Sequence, residues 1–419
     1  VTRRPYRDLV IFARGGGWGV DRAADGYDPV AVIRGTDFAA VRSGRTETVP
    51  RRWEKRTLIV PRRVRPGDVL LEISGGSVAR GQTTGRSLFV GPDVLPAFEL
   101  PVIPASFCRL VRFDTTLVDP RYAYYGLLDM YLSGRAGDYE NQSTGISNFQ
   151  FERFLDAELL RVPPMAEQRR IAGVLAALDD KIEINERVVT ATEELLRAEF
   201  DALAVTGHGS VPVTELVEFN PRTPPPERAG APYVDMAALP THVAGIRSWS
   251  HRPPRGGSRF RNGDTLLARI TPCLENGKTG YVDFLAPGQT ATGSTEFIVL
   301  RARPGVPPQF PYFLARDERF RGHAVRKMAG SSGRQRVNAA DAADFRISVP
   351  SPERLAVFGE RAGAAFTHMA GLLAESRALQ SLRDALLPEL MAGRRIRPAP
   401  APAVTGAATD DAGSSVYAQ

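Results

Sequence analysis

Few places in the 419-residue sequence bring together side chains of the types and spacing that chemistry requires. The string NPRTPPP at 220–226 comes nearest to the Asn-Pro-Pro-aromatic loop of an amino-methyltransferase, but Arg222 interrupts the proline pair and no aromatic follows. GGGWG at 15–19 lacks both GxGxxG spacing and a long preceding strand, so it does not read as a nucleotide-binding turn. No GxxxxGKS or GxxxxGKT occurs, which removes ATP-driven translocation of the P-loop kind. A divalent-metal nuclease needs clustered carboxylates, and Asp264 and Asp283 are scattered. His242, His251, His323 and His368 have no nucleophile or ligand spacing around them. Cys108 and Cys273 lie in different halves, outside any CxxC or Cys/His cluster, so neither a zinc site nor a disulfide framework is supported. The expectation is a chain with no catalytic, cofactor-binding or metal-binding residues of its own.

Binding chemistry is better represented. The formal charge is +7, the pI is near 9.6, and the basic residues are mostly arginine, which suits phosphate and base recognition. Arg51, Arg52, Lys55, Arg56, Arg62, Arg63 and Arg65 lie close together with only Glu54 opposing them; Arg247, Arg252, Arg255, Arg259 and Arg261 form a second cluster without an acid. A solvated face would carry similar runs. Base reading needs donors and acceptors held at groove depth. One set of loops offers Ser74, Ser77, Arg80, Gln82 and Thr83, then Arg269, Thr271, Asn276 and Lys278. A second set offers Asn141, Gln142, Ser143 and Thr144, then Ser331, Ser332, Arg334, Gln335 and Arg336. Arginine can fork onto guanine, and asparagine or glutamine onto adenine.

These candidates recur because the chain is written twice. RPGDVLLEISGG at 65–76 is matched by RNGDTLLARITP at 261–272: a turn, an apolar run that reads as a strand, then a loop. SFCRLVRF (106–113) is matched by EFIVLRAR (296–303), and RYAYYGLL (121–128) by PYFLARDE (311–318). Next come the Ser/Gly loops NQSTGISNF and MAGSSGRQRV, and then LLRVPPMAEQ and FRISVPSPER, each closing on proline and acid at the first turn of a helix. The order is the same throughout. One large irregular α/β domain is the alternative reading.

What positions the two units is a pair of long helices. Ile171, Leu175, Leu178, Ile182, Asn185, Val189, Thr192, Leu196, Glu199 and Leu203 follow a 4-3 cadence. The segment 166–203 would be on the order of 55 Å long. Leu355, Phe358, Ala362, Ala365, Met369, Leu372, Ser376, Leu379 and Leu386 give a second stripe, interrupted by Gly359, Gly363 and Gly371, which either weaken it or allow close approach. Such helices can pair antiparallel and act as a ruler; the alternative is that each packs only on its own unit. Asn185 either fixes register or is exposed.

VPPMAEQRRIAGVLAALDDKIEINERVVTATEELLRAEF at 162–200 and LQSLRDALLPELMAGRRI at 379–396 resemble the conserved helices of the specificity (S) subunits of Type I restriction-modification systems. IRGTDF (33–38), FNPRTP...YVDMAALP (219–240), GDVLLEISG and GDTLLARITP resemble segments of that family's target recognition domains. The chain departs from the family at ARGGGWG in the first opening and at SPERLAVFGE, which lacks the glutamine and isoleucine of the first helix start.

The resemblance implies an α/β fold with two similar target recognition domains separated by two long antiparallel coiled-coil helices. It implies a first recognition domain at 1–160, a central conserved helix at 161–206, a second recognition domain at 207–350, a distal helix at 351–396 and a tail at 397–419. It further implies a non-catalytic DNA-binding subunit that reads a bipartite double-stranded target. Two modification (methyltransferase) subunits and restriction (translocase/endonuclease) subunits are its partners, and S-adenosylmethionine, ATP and Mg reside in them. A Type IIB-like recognition subunit would look almost the same; a two-headed protein-interaction scaffold is the remaining alternative.

With 43% hydrophobic residues the chain can build two or three cored domains. It shows no signal peptide and no apolar run that could cross a bilayer, so a cytoplasmic location is expected. Residues beyond 397, rich in Pro, Ala, Gly and Asp, read as a flexible tail.

Overall fold

The computed structural model describes residues 2–75, 83–143, 146–206, 208–226, 230–253, 256–331 and 333–394; the expected tail lies outside them. The fold is mixed α/β, and the sequence duplication is a duplication of topology. In the first unit a four-stranded antiparallel sheet runs in the order Val10–Gly15, Cys108–Phe113, Val69–Glu72, Ser87–Phe89. The second unit repeats it as Val217–Phe219, Phe297–Ala302, Thr265–Ala268, Thr279–Tyr281. A second sheet also recurs: Tyr27–Ile33 lies antiparallel to Arg51–Lys55 and parallel to Val102–Pro104. Likewise Ala231–Val234 lies antiparallel to Ser250–Arg252 and parallel to Thr290–Gly293, which also carries Ser258–Arg261 on its other edge. Each unit closes by pairing its first strand with its last, Thr2–Pro5 with Leu159–Val162 and His208–Pro212 with Arg346–Val349.

The register of the repeat explains the motif that launches each internal strand. Gly67 and Gly263 adopt φ values of 88° and 87°, the left-handed region that glycine enters without steric cost. The aspartate that follows accepts from the backbone N–H three residues back, Arg65 to Asp68 at 2.7 Å and Arg261 to Asp264 at 2.8 Å. Arg-x-Gly-Asp is therefore a self-closing turn that starts a strand of four buried residues, VLLE in the first unit and TLLA in the second.

The central helix, Met165–Thr206, has 42 residues and the distal helix, Pro352–Ala392, has 41. At 1.5 Å per residue each is about 60 Å long. They run antiparallel: Asp179 meets Arg383, Lys181 meets Glu375, and Glu199 meets Arg361, so numbers rise on one helix as they fall on the other. Equivalent positions are buried on both, as in Ile171 and Phe358, Leu175 and Ala362, Ile182 and Met369, Phe200 and Leu387. The helices do not merely cover their own units; they are packed on each other.

The distal stripe differs in phase from a strict heptad. Phe366, Leu373 and Leu387 are buried, while Ala365, Leu372 and Leu386, one residue earlier, are half-buried, as is Leu379. Two successive four-residue steps, Phe358 to Ala362 to Phe366, turn the largest side chains inward. On the central helix Leu178 is half-buried, and Glu193 and Phe200 take the inward places beside Thr192 and Glu199. Gly359 lies where a Cβ would meet Pro307 of the second unit at 2.8 Å, whereas Gly363 and Gly371 face open space.

Both helices enter the cores of the units. Ile171, Ala172 and Leu175 join Leu387, Leu390 and Met391 in the aromatic core of the first unit, with Tyr6, Tyr122, Tyr125 and Phe154. Val189, Leu196, Phe200 and Leu203 join Leu355, Phe358, Phe366, Met369 and Leu373 in the core of the second. One head thus grows from each end of the helix pair. Gln168, 1% exposed, anchors the first junction: its Oε1 accepts from the Asp119 N–H at 2.8 Å and its amide donates to Pro163 and Leu117 carbonyls at 2.8 and 3.2 Å. In the second unit Leu355, also buried, stands at the corresponding place.

Candidate nucleic-acid interface

The internal strand of each head ends where a second loop crosses it. In the first head Ile73 donates to the Phe107 carbonyl at 2.9 Å and accepts from Phe149 at 2.8 Å, and Ser74 bridges Asn148. In the second, Arg269 donates to Glu296 and accepts from Val337, both at 3.0 Å, and Ile270 bridges Arg336. Among the described residues, the end of the internal strand and the segment around the Ser/Gly loop, far apart along the chain, thus meet in one composite tip in each head.

The side chains at the two tips differ although the backbone is shared. Ser74 Oγ donates to Asn148 Oδ1 at 2.9 Å, and exposed Asn141 stands opposite Asn148 across the hairpin. Phe107, whose place in an apolar run suggests the core, projects from this tip at 61% exposure. At the corresponding place in the second head, Glu296 accepts from Arg336 Nε at 2.9 Å, and the guanidinium holds this carboxyl below its ordinary range. Thr271 donates its N–H to the Gln335 carbonyl at 3.0 Å; the Thr271 hydroxyl and Arg269 Nε are buried without a hydrogen-bond partner among the described residues. Asn276, Ser331 and Arg334 are exposed, Thr83 is half-buried, and Lys278 is turned inward to the Met236 carbonyl at 2.7 Å. Ser77, Arg80, Gln82, Thr144, Arg255 and Ser332 lie outside the described residues, as do the side chains of Gln142 and Ser143.

The basic clusters lie on and beside the other sheet, Arg56 and Arg62 on a short helix that follows it, and are less free than their sequence suggests. Arg52 is bonded to Asp21 and to the Trp18 carbonyl and stacks on the Trp18 ring, with 4.8 Å to its centroid. Arg56 pairs with Asp28 at 2.9 Å, Arg62 with buried Glu54 at 2.8 Å, and Lys55 lies 6.0 Å from the Tyr27 centroid. The opposing acids Asp21 and Asp28 come from a distant strand and loop, which proximity in sequence could not reveal. Arg51, Arg63 and Arg259 are exposed, with no side-chain ion pair among the described residues. In the second head Arg252 stacks on Tyr233 at 4.4 Å.

GGGWG also finds its reason here. Gly16 packs against the Pro104 and Ala105 carbonyls, Gly17 against Glu54 and Arg62, and Gly19, at φ 62°, against the Trp53 carbonyl. A Cβ would clash at each, so the run serves close backbone approach. Gly16 donates to Cys108 at 3.0 Å and Gly17 to Pro104 at 2.9 Å, tying this loop to the strand that presents Phe107. Among the described residues no group of His, Cys, Asp and Glu could hold a metal ion, and no helix is long and apolar enough to cross a membrane. Cys108 is buried and its thiol is pushed up to about 12, chiefly by that burial.

The chain thus carries two like heads on one antiparallel helix pair, and each head has two segments, far apart in sequence, that meet at the end of its internal strand. The S subunit of the Type I restriction-modification system of M. genitalium has this fold: the TM-score is 0.53 at 14% identity, over 93% of this chain and 95% of that one. The HsdS subunit of Thermoanaerobacter tengcongensis aligns over 94% and 96% of the two chains at 14% identity, with a TM-score of 0.33. In sequence, 133 residues are 29% identical to the specificity subunit of the Type I restriction enzyme EcoAI of Escherichia coli, 30% of this chain and 22% of that protein. The chain therefore spans about a fifth of the curated relative it matches. No protein-family model matches. The fold of the chain is thus similar to that of the M. genitalium S subunit.

Proposed function

We propose that the chain is the DNA-reading subunit of a Type I restriction-modification complex and carries no catalytic centre of its own. Each head, 1–160 and 207–350, reads one half of a split target in the major groove with its composite tip. Exposed Arg51, Arg63 and Arg259 contact phosphates, which supply affinity without sequence information. The helix pair, 161–206 and 351–396, keeps the unspecified bases between the halves at one number. The observation that carries this reading is the recurrence of the same two-loop tip at both ends of a packed helical rod.

Chemistry comes from partners. Two modification subunits dock on the outer face of the helices, where Leu195 and Leu382, at equivalent places, are 62% and 47% exposed. They bring S-adenosylmethionine and transfer the methyl group after extruding the target base. Restriction subunits join that core and supply ATP- and Mg-dependent translocation and cleavage. The assembly works on cytoplasmic DNA.

Methylome sequencing of a host with and without the gene tests the reading. Loss of one bipartite methylated motif is the expected result. An unchanged methylome in a host with active modification subunits would refute it.

A further inference from the structure

The two heads meet beside the middle of the central helix, and one carboxylate is shared between them. Glu186 accepts from Ser43 Oγ of the first head at 2.7 Å through Oε2, and from Arg247 Nη1 of the second head at 2.9 Å through Oε1. Ser43 is held for this role at the end of a short helix, Phe38–Arg42, where its hydroxyl also reaches the Ala39 carbonyl at 3.0 Å. Gly44, at φ 78°, turns the chain so closely over the next helix residue that a Cβ would stand 3.3 Å from Arg187 Nε. A tight polar approach has been built at this point.

Next to it the seam is open. A cavity of about 260 Å³ lies between the heads, lined by Arg45, Glu47 and Thr48 on one side and His242, Tyr312 and Arg316 on the other, with the central helix as its floor. The heads are therefore joined here through a few polar bonds and not through a continuous apolar interface.

We propose that Glu186 is a latch that determines how strictly the separation of the two half-sites is enforced; this rests on the bipartite reading above. Without the latch each head is rooted by the apolar helix residues in its core and by bonds to the same helix, Tyr125 and Arg121 to Asp179 and Asp180 in the first head and Ala244 to Glu193 in the second, and can rock about that root. Changing the spacer by one base pair displaces a half-site by roughly 3.4 Å and rotates it by about 35°. A head held at its root and also at Glu186 cannot follow that motion. A head held only at its root can follow part of it. The helices then set the mean separation and Glu186 sets its tolerance.

The test uses Glu186→Ala, Ser43→Ala and Arg247→Ala in the full chain with its modification subunits, read by methylome sequencing. Wild type is expected to modify one motif with a single spacer. The variants are expected to keep both half-sites and to modify sites one base pair longer or shorter roughly five-fold more, the scale of one partly exposed ion pair. An unchanged single spacer in Glu186→Ala, or loss of all methylation in the three variants alike, would overturn the latch. If even wild type modifies no bipartite motif, it is the reading of function that fails. A DNA-free measurement then still decides the latch: electron-spin distances between labels at Ala24→Cys and Glu275→Cys, both exposed, in a Cys273→Ser background. The distance distribution should broaden in Glu186→Ala, and an identical distribution would sink the proposal.

Discussion

Asp264 and Arg301 are joined by two hydrogen bonds of 2.7 Å between neighbouring strands of the second head, with Asp264 buried at 1% side-chain exposure. Asp68 and Arg112 form the same forked pair in the first head at 2.7 and 3.1 Å. The aspartate thus does two things: one oxygen closes the turn that starts the internal strand, and the carboxylate as a whole neutralises an arginine on the strand beside it. Removing the acid alone leaves a poorly solvated guanidinium, so Asp264→Ala should cost about 3–5 kcal/mol. Chemical denaturation is the measurement. The double variant Asp264→Ala/Arg301→Met should recover part of that loss, and strict additivity of the two single effects would show that they are not coupled.

This pair also shows what could be read in the sequence and what could not. Arg-x-Gly-Asp was visible as a repeated turn because its glycine and aspartate act within four residues. The partner arginine, some forty positions on, was visible only as a member of an apolar run. The duplication, the long helices and their pairing were legible for the same reason: each is a periodic or repeated pattern carried by many residues at once. The basic strip was misleading because charge density along the chain says nothing of Asp21 and Asp28, which neutralise Arg52 and Arg56 from elsewhere in the fold. Phe107 was missed because alternation assigns a phenylalanine at a strand end to the core, whereas the backbone ladder places it on the tip. On the distal helix a 4-3 cadence admits both Ala365, Leu372 and Leu386, which pack half-buried against the cores, and Phe366, Leu373 and Leu387 one residue on, which are buried; side-chain bulk separates the two sets only at Ala365 and Phe366.

Glu193 gives a pH signature. It is buried in the core of the second head, where the Tyr312 hydroxyl and, at 2.8 Å, the Ala244 N–H donate to it. Burial raises its pKa above the ordinary 4.5, and these bonds with Arg316 and Arg197 only partly oppose that. A carboxyl whose folded pKa exceeds the unfolded one stabilises the fold fully below the unfolded value and loses that contribution as pH rises through the folded value. Glu193→Gln keeps an acceptor for both donors and cannot ionise. Its melting temperature should therefore fall less than that of wild type as pH is raised from about 4.5 towards neutrality. Parallel curves for the two proteins would exclude a titrating Glu193.

Asn185 is 1% exposed at the middle of the helix pair, and its amide reaches Glu375 Oε2 at 2.8 Å, Ser376 Oγ at 3.3 Å and the Leu372 carbonyl at 3.4 Å. Polar groups in such a seam fix register more than they stabilise. Asn185→Ala leaves buried Ser376 without this partner and should lower stability by about 1–2 kcal/mol. A loss of less than about 0.5 kcal/mol in thermal unfolding, the scale of an ordinary surface substitution, would mean that the bridge is decorative.

Phosphate contacts and base contacts should separate in their salt and sequence dependence. Arg51→Ala, Arg63→Ala and Arg259→Ala should weaken binding to every duplex alike, each reducing the slope of log K against log salt by about 1. Arg336→Ala acts at the tip, beside Glu296, and should cost about 1–3 kcal/mol on the recognised site and little on unrelated DNA. Binding titrations at several salt concentrations distinguish the two classes. Equal losses on specific and unrelated DNA for Arg336→Ala would remove it from the reading set.

Leu195 and Leu382 make the partner surface testable. Both project from the helix pair at equivalent positions of the repeat, one on each helix, and neither is needed by the apolar cores. A charge placed where an exposed leucine docks a protein partner would be buried without a counter-charge, which should cost about 2 kcal/mol or more, roughly thirty-fold in affinity. Leu195→Asp and Leu382→Asp should each release one modification subunit from the purified complex, and the double variant both, with the unfolding midpoint of the free chain unchanged. Mass measurement of the intact complexes reads this directly. Because the two positions lie on opposite halves of the repeat, loss of both partners from a single variant would mean that they bind as a preformed pair, and full retention in the double variant would move the docking site off this face of the helices.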